Sequence, residues 1–444
     1  MRSFQVRRLL WIALFLEVSF GLVCLLLNRS LSSFLAIIFL LGFLGAVGFI
    51  TRSTGLWSSD WLNGKPWEPP AGRPVDLEMP AGAYNSTPRS ARATGWNMNN
   101  IGNVSFNLGM NPERTEQVSL TVPLDEKVAG FILNLSSGGV KLQGQEGLRE
   151  VRILATKRVW ARDEMEARLD FGRLQLRHWI EGGVLRVEAG DPDQGLVIGR
   201  GPRMDLAITL PPALAAELNS TYGEILTKDY SGDLTAKTTL GTIAIESYSS
   251  GRNITLNTTS GKLSLQGVAA GIVKARSGAG LIELSGVGAE ELDLDSTAAS
   301  IRARGVNCGR YTAKAVTGSI ELYEATVEND LDLKAGAGRV HAENIQAGSL
   351  HLEATTGSVF YRGMVPTAPS EVISRVGSVQ MVLNPGTGFN LEASSNVGTV
   401  ETSLPVTNLK YQGRNSFEGQ IAGGGAPLRV SSQVGSIKVT FGGG

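Results

Sequence analysis

Two cysteines and three histidines in 444 residues remove several classes of function at the outset. Cys24 and Cys308 lie far apart, so neither a disulfide framework nor a cysteine-based zinc site can be built from them. The histidines leave little for metal chemistry, and the apolar N-terminal runs contain none for axial haem ligation. An excess of one charge is also missing, because 41 Lys and Arg balance 41 Asp and Glu. Nucleic-acid binders normally carry a basic excess or stripe, so no nucleic-acid partner is expected. The phosphate loop G-x-x-x-x-G-K-[ST], the zinc-protease pattern H-E-x-x-H and the nucleophile elbow G-x-S-x-G are all absent. No catalytic, cofactor or metal residue is assigned. Glycine, by contrast, is plentiful: 55 residues, about 12% against a usual ~7%, with no G-X-Y period. That excludes collagen and points to many tight turns.

Residues 1–50 read as a membrane anchor. Leu9 to Leu27 is apolar except for Glu17, and a second apolar run spans Phe34 to Ile50. Runs of about 17–25 apolar residues suit transmembrane helices, so two spans, 9–27 and 34–50, form a hairpin in the lipid bilayer. A signal peptide is the competing reading, but the core is long for one and no A-x-A cleavage pattern follows directly after it. Arg2, Arg7 and Arg8 outnumber Arg29 in the loop, which places the N-terminus in the cytoplasm. Two spans return the chain to that side, whereas a single span would place the rest outside. Gly42, Gly45, Ala46 and Gly48 cluster in the second span and allow close helix packing, within the hairpin or against a membrane-protein partner or second copy. Glu17 is costly in lipid unless protonated or paired, and so marks a buried helix face.

Residues 51–100 form an extended connector rich in Pro, Ser and Asn. Trp57, Trp61 and Trp67 fit an interfacial aromatic belt, the alternative being linker tryptophans packed on the first strands.

Residues 216–444 carry an internal repeat. A small central residue recurs at Gly223, Gly241, Gly261, Gly280, Ala299, Gly318, Gly338, Gly357, Gly377 and Gly398, in steps of 18 to 21. A further copy sits at Gly435, after a gap of 37 with room for one degenerate copy, and Leu133 to Leu142 resembles the motif. Apolar residues fall seven and five before the centre (Ile254, Leu256) and two and four after it (Leu263, Leu265). Such alternation turns one strand face into a core. A second glycine often lies nine before the centre, as at Gly232, Gly271, Gly309 and Gly348, with Asn329 in the same place. Both positions read as corners needing positive φ. Two short strands and two corners per ~19 residues describe a coil of a parallel β-solenoid, with coils stacked about 4.8 Å apart. A sandwich of hairpins is the rival. In-register stacking would align Glu283, Arg302, Glu321 and His341 in one ladder, and Arg276, Asp295, Lys314, Lys334 and Glu353 in another. Residues 101–215 are β-rich but less regular and read as the N-terminal cap and first coils, with a hairpin around Gly182-Gly183.

Asp205-Leu-Ala-Ile-Thr-Leu-Pro211 through Thr221-Tyr-Gly223-Glu-Ile, followed by the L-x-(T/S)-x-x-G-x-I copies, resembles the bacterial "putative adhesin" β-strand-repeat family. That family is similar to the toast-rack domains of phage-shock and Lia-type envelope-stress proteins. The resemblance covers about residues 115–444 and extends to the apolar spans in front. It implies a non-enzymatic role in organising the cell envelope or sensing stress, with no established catalytic residues to carry over. Two other functions stay open: an accessory subunit of a membrane complex, and a polysaccharide-acting β-helix enzyme. The enzyme would need carboxylates close together on one face without basic partners.

Overall fold

The computed structural model describes residues 104–107, 111–193 and 196–442. Gly42, Gly45, Ala46, Gly48, Glu17, Trp57, Trp61, Trp67 and both apolar spans lie outside the described residues, and among those described no helix is long and apolar enough to cross a membrane.

Parallel in-register pairing dominates the described chain. Ile254 pairs with Leu234 on one side and Val273 on the other, and Leu263 with Ile243 and Ile282, so each repeat is one coil stacked on the next. Ile254, Leu256, Leu263 and Leu265 are fully buried, as the period of two requires. Hydroxyls three before the centre also point inward. Thr258 donates to the Gly241 carbonyl at 3.4 Å, Ser374 to Gly357 at 3.0 Å and Ser432 to Gly377 at 3.1 Å. The column thus satisfies corner carbonyls that the ladders do not reach.

The coil has three corners rather than two. Six residues after the centre the backbone enters the left-handed region, at Gly267 (φ 60°), Gly286 (φ 61°), Gly305 (φ 63°), Glu324 (φ 55°) and Asn344 (φ 57°). A third side follows, with Val268, Val287 and Val306 turned inward. Continuous pairing through this corner produces strands as long as Leu263–Ala279 and Ile320–Ala337.

The central corner needs glycine twice over. Gly261 has φ 152°, and a Cβ there would lie 1.9 Å from the Gly241 carbonyl oxygen of the preceding coil. The corner nine residues earlier differs from the expectation of positive φ. Gly271 has no left-handed backbone, but its Cβ would meet the Gly251 carbonyl oxygen at 2.5 Å. Close approach of stacked backbones, not φ, selects glycine there.

The outward ladders align as the repeat predicts, with Glu283 opposite Arg302, Arg302 opposite Glu321 and Glu321 opposite His341. Their ion pairs follow side-chain reach more than register. Arg302 meets Glu321 at 2.8 Å, whereas Glu283 turns to Lys262, and Lys314 faces Lys334, which pairs instead with Asp332 at 2.8 Å.

Both ends depart from sequential stacking. The coil of Gly130–Ser137 and Val140–Gly144 lies between Val184–Gly190 with Arg203–Leu210 on one side and Ala215–Tyr222 with Ile225–Tyr230 on the other. At the far end, Ala426–Val434 inserts between Ser370–Val376 and Phe389–Val397. The 37-residue gap holds no degenerate copy. It is occupied by Val406–Gln412 and Ser416–Ile421, an antiparallel pair lying along Phe389–Val397.

Around the first coils the pairing turns antiparallel, with Glu113–Pro123 against Glu150–Trp160, and Gln175–Glu181 against Val184–Gly190 around Gly182-Gly183. One helix, Glu164–Arg173, interrupts the strands. Its Asp163 cap accepts from the Glu166 amide at 2.9 Å, and Glu166 accepts in return from the Arg162 amide at 2.8 Å.

Candidate functional site

The residues two and four before each centre point outward along the first side of the coil. From Val184–Gly190 to Ile282–Ser296 they line an open groove of about 810 Å³. Six coil steps of about 4.8 Å give it a length of about 29 Å along the rod. One row of the floor runs Asn134, Asn219, Lys237, Asn257, Arg276 and Asp295. The neighbouring row is largely hydroxyl: Ser136, Thr221, Thr239, Thr259 and Thr297. Gln175 and Arg177, on the antiparallel strand that extends the sheet, add a polar end.

This composition comes from the ladder itself. Each strand spends its inward positions on the core and is free to place short polar groups outside, where in-register stacking repeats them at a fixed spacing. Asn219 donates to the Asn134 side chain at 3.1 Å and to Glu217 at 3.3 Å. Lys237 donates to Glu217 at 2.9 Å, and chiefly that bond holds the Glu217 carboxyl below the usual carboxylate range. Arg276 approaches Asp293 only to 4.0 Å, leaving its guanidinium most of its donor capacity. The buried Ser136 hydroxyl, at the groove's end beside Gly190, has no hydrogen-bond partner among the described residues. The lining contains no aromatic side chain, no His and no Cys. It can hold a polar ligand by many hydrogen bonds, and its two carboxylates, Glu188 and Asp295, stand at opposite ends of the row, six coil steps or about 29 Å apart, too far to act together on one bond.

A second cluster lies on the next side of the coil. His341 stacks on Phe360 with centroids 4.6 Å apart and lies tilted by 45° against Tyr323 at 5.4 Å, while Arg304 covers the Tyr323 ring at 5.6 Å. Stacking along the rod uses up the ring faces a ligand would need, so the cluster is a cohesive ladder. Beside it, Glu321 is buried and clamped between Arg339 at 2.7 Å and Arg302 at 2.8 Å, which hold its carboxyl below the usual range. The histidine–carboxylate contacts, His341 with Glu343 and His351 with Glu371, are 3.4 and 3.7 Å long, and Glu343 is also held by Arg362 at 3.0 Å. No group of three His, Cys, Asp or Glu among the described residues could hold a metal ion. Cys308 is buried, and burial raises its thiol to about 12.

The sequence-based candidates all fell before residue 70, and none of the groove residues was among them. The signal was present: Thr221, Thr239, Thr259 and Thr297 share one position relative to the repeat centres.

No curated protein matches the chain. Among solved structures, the "putative adhesin" of Parabacteroides distasonis aligns at 10% identity over 76% of this chain and 100% of its own, with a TM-score of 0.34. One from Parabacteroides merdae, also described as an adhesin, aligns at 10% identity over 77% and 100%, again at 0.34. A Parabacteroides distasonis protein described as lipid binding aligns at 11% identity over 76% and 99%, with a TM-score of 0.26. The family model Toastrack DUF4097 matches twice, over residues 225–360 and 300–440, which is the repeat region of the solenoid. Across those residues the chain belongs to the toast-rack family.

Proposed function

We propose that this protein is a non-enzymatic, membrane-anchored β-solenoid that works as an interaction or scaffold surface in organising the bacterial cell envelope or sensing its stress. The observation that carries the reading is the groove: a long row of repeated hydrogen-bonding side chains without His or Cys. The outer ladders agree, because carboxylates such as Glu321, Glu217 and Glu343 are each engaged by a cation. The runs 9–27 and 34–50 supply the anchor, with the solenoid on the N-terminal, cytoplasmic side. Gly42, Gly45, Ala46 and Gly48 supply a face for a second copy or a membrane-protein partner.

The test is purification of the full chain from membranes in mild detergent. Retention in the membrane fraction, with a stoichiometric partner or self-association lost in Gly42→Leu/Ala46→Leu, is the expected result. A chain that leaves the membrane in high salt, or stays a lone monomer, overturns it. Sidedness is read separately, with Ser250→Cys in a Cys24→Ser background, since buried Cys308 is a poor target. Labelling by an impermeant maleimide in intact cells, after any outer barrier is opened, would place the solenoid outside.

A further inference from the structure

We infer that the groove along the solenoid binds an extended, uncharged polyhydroxylated chain, a linear glycan, laid parallel to the rod axis. The inference rests on the binding reading above and adds the class of ligand.

Three properties of the groove select that class. Most of its lining side chains are amides, hydroxyls or charged groups; polar and apolar atoms share the wall about equally, but the apolar part is scattered among threonine methyls, Leu135, Ala189 and Pro192, so an acyl chain or apolar peptide finds no continuous apolar strip. Its charges are few and mixed: Arg177, Lys237 and Arg276 against Glu188 and Asp295, with Lys237 further engaged by Glu217. A polyanion gains no sustained cationic track from that arrangement. Finally, the backbone of the floor is already spent in the parallel ladders, so an extended peptide cannot add as a strand there. A chain of hydroxyls needs only side-chain donors and acceptors, repeated along its length. Asn219, Thr239, Asn257 and Thr259 present both kinds over three successive coils about 4.8 Å apart, a spacing comparable to one sugar unit of an extended chain, and Arg276 and Thr297 continue the row on the next two. Because no aromatic ring lines the site, affinity must accumulate over many weak hydrogen bonds, and length of ligand decides it.

The experiment uses the full chain in mild detergent and calorimetric titration with linear neutral oligosaccharides of two to eight sugars, β-1,4-linked glucose and N-acetylglucosamine series being the probes. Affinity should rise at least tenfold from two to six sugars and level off once the groove's length of about 29 Å is filled. Asn257→Ala/Thr259→Val, both at outward positions of one coil, should weaken the longest ligand at least tenfold with no change in melting temperature. Lack of binding by every neutral oligosaccharide at millimolar concentration, binding independent of length, or equal binding by the double variant overturns the proposal. Tight binding of only a sulfated polysaccharide or only a peptide overturns it too. The membrane partner is scored on wild type alone: its absence with glycan binding present fails the scaffold reading, and its presence with no glycan bound fails this one.

Discussion

Gly435 stacks on Gly377, and Gly398 stacks in turn on Gly435, with would-be Cβ atoms 2.2 Å from the neighbouring carbonyl oxygen in both cases. Two repeats consecutive in sequence are therefore separated in space by the last repeat of the chain. Phe389–Val397 acquires its parallel partner only when residues 426–434 arrive.

A chain ending at Gly425 should lose that end of the rod selectively. Amides of Ser370–Val376 and Phe389–Val397 would lose a ladder partner, while Ile254–Ser260 keeps both of its own. Hydrogen exchange should show lost protection at Val372 and Ser374, whose amides face residues 426–434, with none lost at Leu256. Unchanged protection at Val372 would mean that Phe389–Val397, held by the antiparallel strand Ser416–Ile421, takes the vacated place.

The two kinds of glycine position make opposite predictions. Gly261→Ala combines a left-handed φ with overlap against fixed backbone, and should cost several kcal/mol or prevent folding. Gly288→Ala meets nothing nearer than 3.8 Å and has no left-handed φ, so it should be within about 1 kcal/mol of wild type and can be stabilising. Urea midpoints of the two variants decide it, and similar losses would refute the stacking argument.

Buried tyrosines divide in the same way. Tyr248 donates to the Gly232 carbonyl at 2.8 Å, whereas the fully buried Tyr311 hydroxyl has no partner among the described residues. Burial raises both phenols, Tyr248 to about 12. Tyr248→Phe should cost about 1 kcal/mol, while Tyr311→Phe should raise the melting temperature by removing an unsatisfied group. A loss at Tyr311 equal to that at Tyr248 would show that its hydroxyl is satisfied after all.

Much of the rod was legible because a solenoid repeats its constraints. The centres at Gly241, Gly261 and Gly280 and the alternation at Ile254, Leu256, Leu263 and Leu265 state corner, strand and facing together, and in-register stacking then fixes the ladders. The third corner was not legible, because Gly267, Glu324 and Asn344 share a backbone conformation without sharing a side chain. The helix Glu164–Arg173 had a signal in Asp163 and Glu166, a reciprocal cap of the D-x-x-E kind, but it is short and its apolar face holds little beyond Ala167. The interleaved ends could not be read from local pattern, since repeats of equal spacing stack equally well in either order. The groove was hidden for a related reason: its residues are ordinary outward positions individually and become a site only when stacked.

Glu321 provides the clearest pH dependence. Arg339 and Arg302 favour its ionised form in the folded state, so its folded pKa lies below the unfolded one. A depressed carboxylate contributes stability that is fully present above the ordinary carboxylate pKa and is lost as pH falls through the folded value. Glu321→Gln keeps the shape but surrenders the charge-assisted bonds, and should cost about 1–2 kcal/mol at neutral pH. Protonation of wild-type Glu321 makes the two proteins alike, so the gap between their urea midpoints should close as the pH falls through and below the ordinary carboxylate range. Depression of Glu217 by Lys237 affects both proteins equally and cancels in the comparison. A gap that stays constant across that range would show that the two arginines position the Glu321 side chain without stabilising its charge.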